Sequence, residues 1–251
     1  MTDPQPIGSA SALDHLNERL AAHLAARGLS PVEPGPIDDG PVPGMPGHPE
    51  FHRQNRIDFA LARWRTATPP RYQHSDASHP DVKAWAAAVA AEPDAAGSLL
   101  ITGTTGTGKT HQAYGALRLV AESGPRDFRM LATTAADMYG RLRPGGSERT
   151  AEDELKRLCD IPLLLLDDLG SAKASEWTEE ITYRLINGRY NQCLPTVFTS
   201  NLPTRAPRDE NGRPIAPDLA AALGERIVSR LAEMTTVVPM TGDDLRRRGA
   251  A

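Results

Sequence analysis

Residues 98–110 read Ser-Leu-Leu-Ile-Thr-Gly-Thr-Thr-Gly-Thr-Gly-Lys-Thr. The first five have the apolar character of a short buried strand. The last eight, Gly103, Thr104, Thr105, Gly106, Thr107, Gly108, Lys109 and Thr110, satisfy GxxxxGK[ST] in full. The glycines let backbone N–H groups turn toward a polyphosphate. A helix expected over 111–123 would present its positive N-terminal end to the same anion. Lys109 can reach the β- and γ-phosphates, and the Thr110 hydroxyl can ligate Mg²⁺. With His111 directly behind the motif, residues 103–111 form the candidate ATP-binding set. Strand, glycine loop and helix in that order predict an α/β fold built on a parallel sheet.

Three further stretches fit that frame. Residues 163–168 read Leu-Leu-Leu-Leu-Asp-Asp, a buried strand ending in two carboxylates. Ligands bind at the carboxyl ends of parallel strands. Asp167 is therefore the candidate Mg²⁺ residue, and Asp168 the candidate to orient or deprotonate a water. Residues 196–201, Thr-Val-Phe-Thr-Ser-Asn, again run a strand into a polar end. If this strand lies between the other two, Asn201 points at the γ-phosphate or the water. In the stretch 224–231, Gly-Glu-Arg-Ile-Val-Ser-Arg-Leu, Arg226 and Arg230 are four apart and share a helix face. Taken alone, that pair reads as a solvated basic stripe.

The rest of the chain sets the context. Its 251 residues suit one sizeable domain with an appendage. A hydrophobic fraction of 39% permits a real core. Leu13, Leu16, Leu20 and Leu24 predict a helix over 11–27. Residues 30–49 hold seven prolines and four glycines, which exclude a helix or a central strand and predict a linker. The expected organisation is an N-terminal helix (1–28), a Pro/Gly-rich linker (29–49), a helical connector (50–69), the main domain (70–245) and a tail (246–251). Within the main domain, helices are expected over 81–91, 135–142, 151–159, 176–190 and 218–233, with strands over 128–132, 162–166, 195–199 and 235–240.

The longest apolar stretch, 161–166, is far short of a membrane span. No secretory signal is visible, and Cys159 and Cys193 form no CxxC pair, so a cytoplasmic protein without a disulfide scaffold is expected. The net charge of −4 lies within residues 1–60, where four Arg face eight Asp/Glu, leaving the body neutral. Bulk electrostatics therefore would not hold this chain on DNA. Local DNA-contact candidates are Arg141, Arg143 and Arg149, or Arg205, Arg208 and Arg213. Arg246, Arg247 and Arg248 read as a solvated tail.

The order GTTGTGKT, LLLLDDLG, FTSNL and LGERIVSRL resembles that of AAA+ ATPases. It is similar more narrowly to the DnaC/DnaI-type helicase loaders and their IstB-like relatives, over about residues 65–245. The resemblance implies a RecA-like core with little or no helical lid, ATP and Mg²⁺ as cofactors, and slow hydrolysis acting as a switch. It makes Asn201 a sensor, Arg230 an arginine finger and Arg226 its supporting arginine. A finger acts on a neighbouring copy, so the chain is expected to self-associate into a ring or spiral. The implied partners are a replicative DnaB-type helicase, contacted through the N-terminal region, and single-stranded DNA. The alternative is an IstB-like regulator of a transposase on duplex DNA. A small-molecule kinase would not need Arg226 and Arg230 as a finger. No guanine-recognition NKxD and no LSGGQ stretch points to a GTPase or an ABC-type ATPase.

Overall fold

A computed structural model describes residues 10–28, 40, 42–146, 148–213, 215–242 and 244. Most of the expected linker (29–39 and 41) and the expected tail (246–251, with Arg246 to Arg248) lie outside the described residues. The chain divides into two units, 1–48 and 49–251. The first contains helix α1 (Ala10–Ala25), on which Leu16 and Leu20 are exposed. Among the described residues, no helix is long and apolar enough to cross a membrane.

The second unit opens with α2 (Pro49–Ala67), a short turn at Pro70–Tyr72 and α3 (Pro80–Ala91). Strands and helices then alternate: β1 (Ser98–Gly103), α4 (Lys109–Glu122), β2 (Met130–Thr134), α5 (Ala135–Leu142), α6 (Ala151–Asp160), β3 (Leu163–Asp167), α7 (Glu176–Asn191) and β4 (Thr196–Ser200). Helices α8 (Leu219–Leu223) and α9 (Glu225–Met234) and strand β5 (Thr235–Met240) complete the series. All five strands are parallel, in the order β2-β3-β4-β1-β5. The strand carrying Asn201 at its end therefore does lie between the strand feeding the glycine loop and the strand ending in Asp167.

Alternation along each strand builds two cores, one on each face. Leu99, Ile101, Leu165, Val197 and Val238 face α2, α3 and α4, where Trp64, Val82, Trp85 and Leu117 are buried. Leu100, Leu164, Leu166 and Phe198 face α5 to α9, meeting Met138, Leu158, Leu185, Ile227 and Leu231. Burial on both faces explains why β1 and β3 read as unbroken apolar runs. Helix α2, expected to be a connector, contributes Ala60 and Trp64 to the first core, and the Trp64 indole N–H donates to Tyr114 O at 3.1 Å.

Two local differences from expectation have clear causes. β2 starts and ends two residues later than the expected 128–132. Thr133 and Thr134, polar on paper, continue the ladder beside Leu166 and Asp167, and Thr134 also caps α5 by accepting from Asp137 N at 3.0 Å. The helical region expected over 218–233 is divided into α8 and α9 at Gly224, which takes φ +89°. The backbone turn there favours glycine, and a Cβ would also have to displace the Glu179 carboxylate of α7, whose Oε1 would lie 2.6 Å away.

Candidate functional site

The glycine loop between β1 and α4 is shaped by backbone positions that a side chain would spoil. Gly103 leaves β1 at φ +147°, where a Cβ would lie 2.2 Å from Met240 O on β5. Gly106 and Gly108 also take positive φ, and a Cβ on Gly106 would meet the Asp244 carboxylate. Gly108, at the N-cap of α4, has no side chain to cap the helix, so the cap residue places no acceptor of its own over the first turn. An anion-binding end of this kind fits a phosphate chain. Thr104 O accepts from the Lys109 ammonium at 2.7 Å and from the Thr107 hydroxyl at 2.9 Å. Lys109 is only 5% exposed, held inside the loop.

The sheet order brings the polar strand ends together beside that loop. The Thr110 hydroxyl donates to Asp167 Oδ1 at 3.1 Å. The Thr199 hydroxyl donates to Asp167 Oδ1 at 2.5 Å and accepts from Asp168 N at 3.0 Å. Asn201 Nδ2 donates to Asp168 Oδ1 at 3.2 Å. Asp168 takes φ +57°, a left-handed conformation, so its side chain departs from the strand direction. Burial raises the Asp167 carboxyl above the ordinary aspartate range, and the charge of Asp168 adds to it. The Thr199 and Thr110 hydroxyls and the Lys109 charge act in the opposite direction.

A cleft of about 600 Å³ is lined by residues 105–111, Asp167, Asp168 and Asn201, together with Arg71, Tyr72, Ser78, Gln112 and Met240. Gly103 and Thr104 belong to the same loop and are not among the cleft's lining residues. The Tyr72 ring stacks on Tyr114 at 4.9 Å and meets His111 edge-on at 5.0 Å. The Gln112 carboxamide accepts from Ser78 N and His79 N and donates to Ser78 Oγ, tying the segment before α3 to α4. A volume of this size suits a nucleotide. Thr110 and Asp167 are hard oxygen donors of the kind Mg²⁺ takes. Among the described residues, no group of three or more His, Cys, Asp or Glu could hold a metal by itself. An ion here would therefore complete its shell with phosphate oxygens and water.

Sequence reasoning missed Thr199, Gln112 and the Tyr72–Tyr114 stack. Only the neighbouring strand or helix gives them their roles, and a threonine within a strand or a glutamine within a helix carries no such signal. Arg226 and Arg230 do not join this cleft. They line a second cleft, against α7. Among the DNA-contact candidates, Arg205 is paired with Glu225 at 2.6 Å, Arg208 donates to Gly212 O at 2.8 Å, and Arg143 lies 5.9 Å over the Trp177 ring.

A parallel sheet with a glycine loop after β1, carboxylates after β3 and an Asn after the strand between them defines a P-loop ATPase core of the RecA-like AAA+ class. Residues 71–251 match the family described as IstB-like ATP binding protein, and the chain belongs to that family. It is 29% identical over 153 residues to a putative insertion sequence ATP-binding protein of Sinorhizobium fredii, covering 61% of this chain and 48% of that one. It is 27% identical over 137 residues to the replicative helicase loader DnaC of Buchnera aphidicola, covering 53% and 50%. The chain thus spans about half the length of these curated relatives. Among solved structures, the DnaC helicase loader superposes with a TM-score of 0.56 at 28% identity, over 69% of this chain and all of that one. Domain III of the Thermotoga maritima replication initiation protein DnaA, at 21% identity and a TM-score of 0.53 over 73% of each chain, shares the fold.

Proposed function

We propose that this protein is an ATP-hydrolysing loader that binds a replicative DnaB-type helicase and helps place it on single-stranded DNA, with hydrolysis as the release switch. The structural match over 69% of this chain to a solved chain of the DnaC helicase loader, at 28% identity, carries this reading. ATP would lie across residues 103–111 with its base toward Tyr72 and His111. Mg²⁺, held by Thr110 and Asp167, would neutralise charge building on the phosphates. Lys109 sits where it can turn its ammonium from Thr104 O to the arriving anion. Asp168, aimed by its left-handed backbone and by Asn201, orients the attacking water and can take its proton. Arg230, supported by Arg226, would complete the site of a neighbouring copy. Such an arginine is worth ~10³–10⁵ in rate. That requirement makes assembly into a ring or spiral part of the proposal.

A second reading, a transposase regulator acting on duplex DNA, draws support from the insertion sequence relative, whose match covers more of this chain than the Buchnera loader's does. Affinity capture from the host with ATP present separates the two, using wild type and Lys109→Ala. Recovery of a helicase by wild type and its loss with Lys109→Ala is the expected result. Recovery of a transposase without a helicase would overturn the loader assignment. Unchanged ATP affinity in Lys109→Ala would overturn the nucleotide site itself.

A further inference from the structure

Helix α9 carries Arg226 and Arg230 on one face, and α7 meets them with Tyr183 and Tyr190. The Arg226 guanidinium lies 4.9 Å from the Tyr183 ring centre. The Arg230 guanidinium lies 5.8 Å from Tyr183 and 4.9 Å from Tyr190. A guanidinium over a ring face is held by the ring's quadrupole while its N–H groups remain able to meet an anion. A carboxylate partner would fix the arginine equally well but would cancel the charge.

Two carboxylates stand beside these arginines, and each accepts hydrogen bonds from another side chain. Glu225 is clasped by Arg205 through two bonds, at 3.1 and 2.6 Å. Glu233 accepts from the Tyr190 hydroxyl at 2.5 Å. Among the described residues, neither Arg226 nor Arg230 forms an ion pair. The cleft that they share with Tyr183, Arg205, Glu225, Ser229 and Glu233 is open and about 620 Å³ in volume.

We propose that Tyr183 and Tyr190 are positioning residues, an aromatic seat that holds Arg226 and Arg230 in place without neutralising them for an anion presented by a second copy. Arg205 serves the same end by keeping Glu225 away from Arg226. This rests on Arg230 acting in trans, as in the proposed function. Pre-ordering matters because a free arginine has many rotamers to lose when it docks, and a seated one has already lost most of them.

The test is hydrolysis by mixed full-length chains. Lys109→Ala copies donate arginines and cannot hold ATP, and Arg230→Ala copies hold ATP and lack the finger. Mixing them is expected to restore hydrolysis. Donors that also carry Tyr183→Leu should restore it about tenfold less well, in kcat and not in KM, because ATP sits on the other copy. Tyr183→Phe donors, which keep the ring face and lose only the hydroxyl beside Arg230 and Arg226, should restore it clearly better than Tyr183→Leu donors. Arg205→Ala donors should also fall, and adding Glu225→Gln should bring them back. Tyr183→Leu or Tyr190→Leu donors as effective as Lys109→Ala alone would overturn the seat, and Arg205→Ala donors as effective would overturn the part given to Arg205, each while leaving the trans reading standing. Hydrolysis by Arg230→Ala copies on their own would overturn the trans reading first.

Discussion

Asp167 carries a carboxyl that its surroundings, burial first, push above the ordinary aspartate range. A raised folded value means that the folded chain holds this proton more tightly than the unfolded chain does. The resulting stability is fully present below the unfolded value and is lost as pH rises through the folded one. At neutral pH, without bound ion, the ionised group is therefore a net cost. Asp167→Asn keeps an oxygen for Thr199 and removes the charge. The nucleotide-free protein should then melt higher at pH 7, with the gain shrinking as pH falls toward 4. A domain of this size moves roughly 2–4 °C per kcal/mol, so calorimetry can resolve it. The same variant should lose Mg²⁺-dependent nucleotide hydrolysis. A lower melting temperature at pH 7 would show that the carboxylate's bonds outweigh its burial. Thr199→Val is a near-isosteric change at a fully buried site that removes both the donor to Asp167 and the acceptor for Asp168 N. Leaving Asp168 N unpaired should destabilise by roughly 1–3 kcal/mol in denaturant titration, and hydrolysis should slow with it.

Between elements, the junction at Arg189 is the clearest case of a side chain acting as a structural tie. Its guanidinium is 0% exposed and donates to Leu158 O, Cys159 O and Ile161 O at the end of α6, and to Pro195 O and Thr196 Oγ1 at the start of β4. Burial lowers its value to about 10, a sign of how fully it is taken from water. Arg189→Met fills similar space and leaves those acceptors orphaned, so a loss on the order of 3 kcal/mol or more is expected from urea unfolding. Arg189→Lys should recover only part, since one ammonium has three donors where the fork has five. None of this was legible from the sequence, where Arg189 is one more helical arginine. By contrast, β1, β3 and the glycine loop were legible almost residue by residue, because burial on both faces writes apolar runs and phosphate geometry writes glycines. Asp167, Asp168 and Asn201 were legible as strand ends. Their mutual contacts needed the order β3-β4-β1, which no local pattern encodes. The Gly224 break was hidden because the apolar spacing of α8 and α9 runs through it.

At the scale of the whole molecule, the charge and the core occupy different parts of the chain. Every buried side chain described lies between Ala60 and Val238, while residues 1–60 hold the entire net charge of −4. Helix α1 exposes Leu16 and Leu20 beside Asp14 and Glu18, so its apolar positions add no described burial to the ATPase core. Stability scales with apolar area removed from water, and residues 1–48 contribute none of the described core. A chain beginning at Pro49 should therefore keep α2 and Trp64, melt within about 2 °C of the full chain, and bind ATP with unchanged affinity. Cutting instead after Ala67 removes Trp64 and Ala60 from beneath α4. Emptying a site of that size costs ~3–5 kcal/mol for the tryptophan alone and should leave a chain that melts far lower. Differential scanning calorimetry on the two truncations reads both results directly. If the helicase-loading reading is right, the chain beginning at Pro49 should also hydrolyse ATP yet fail to retain a DnaB-type helicase on a column. Retention by that shorter chain would move the helicase contact from the acidic segment to the ATPase unit.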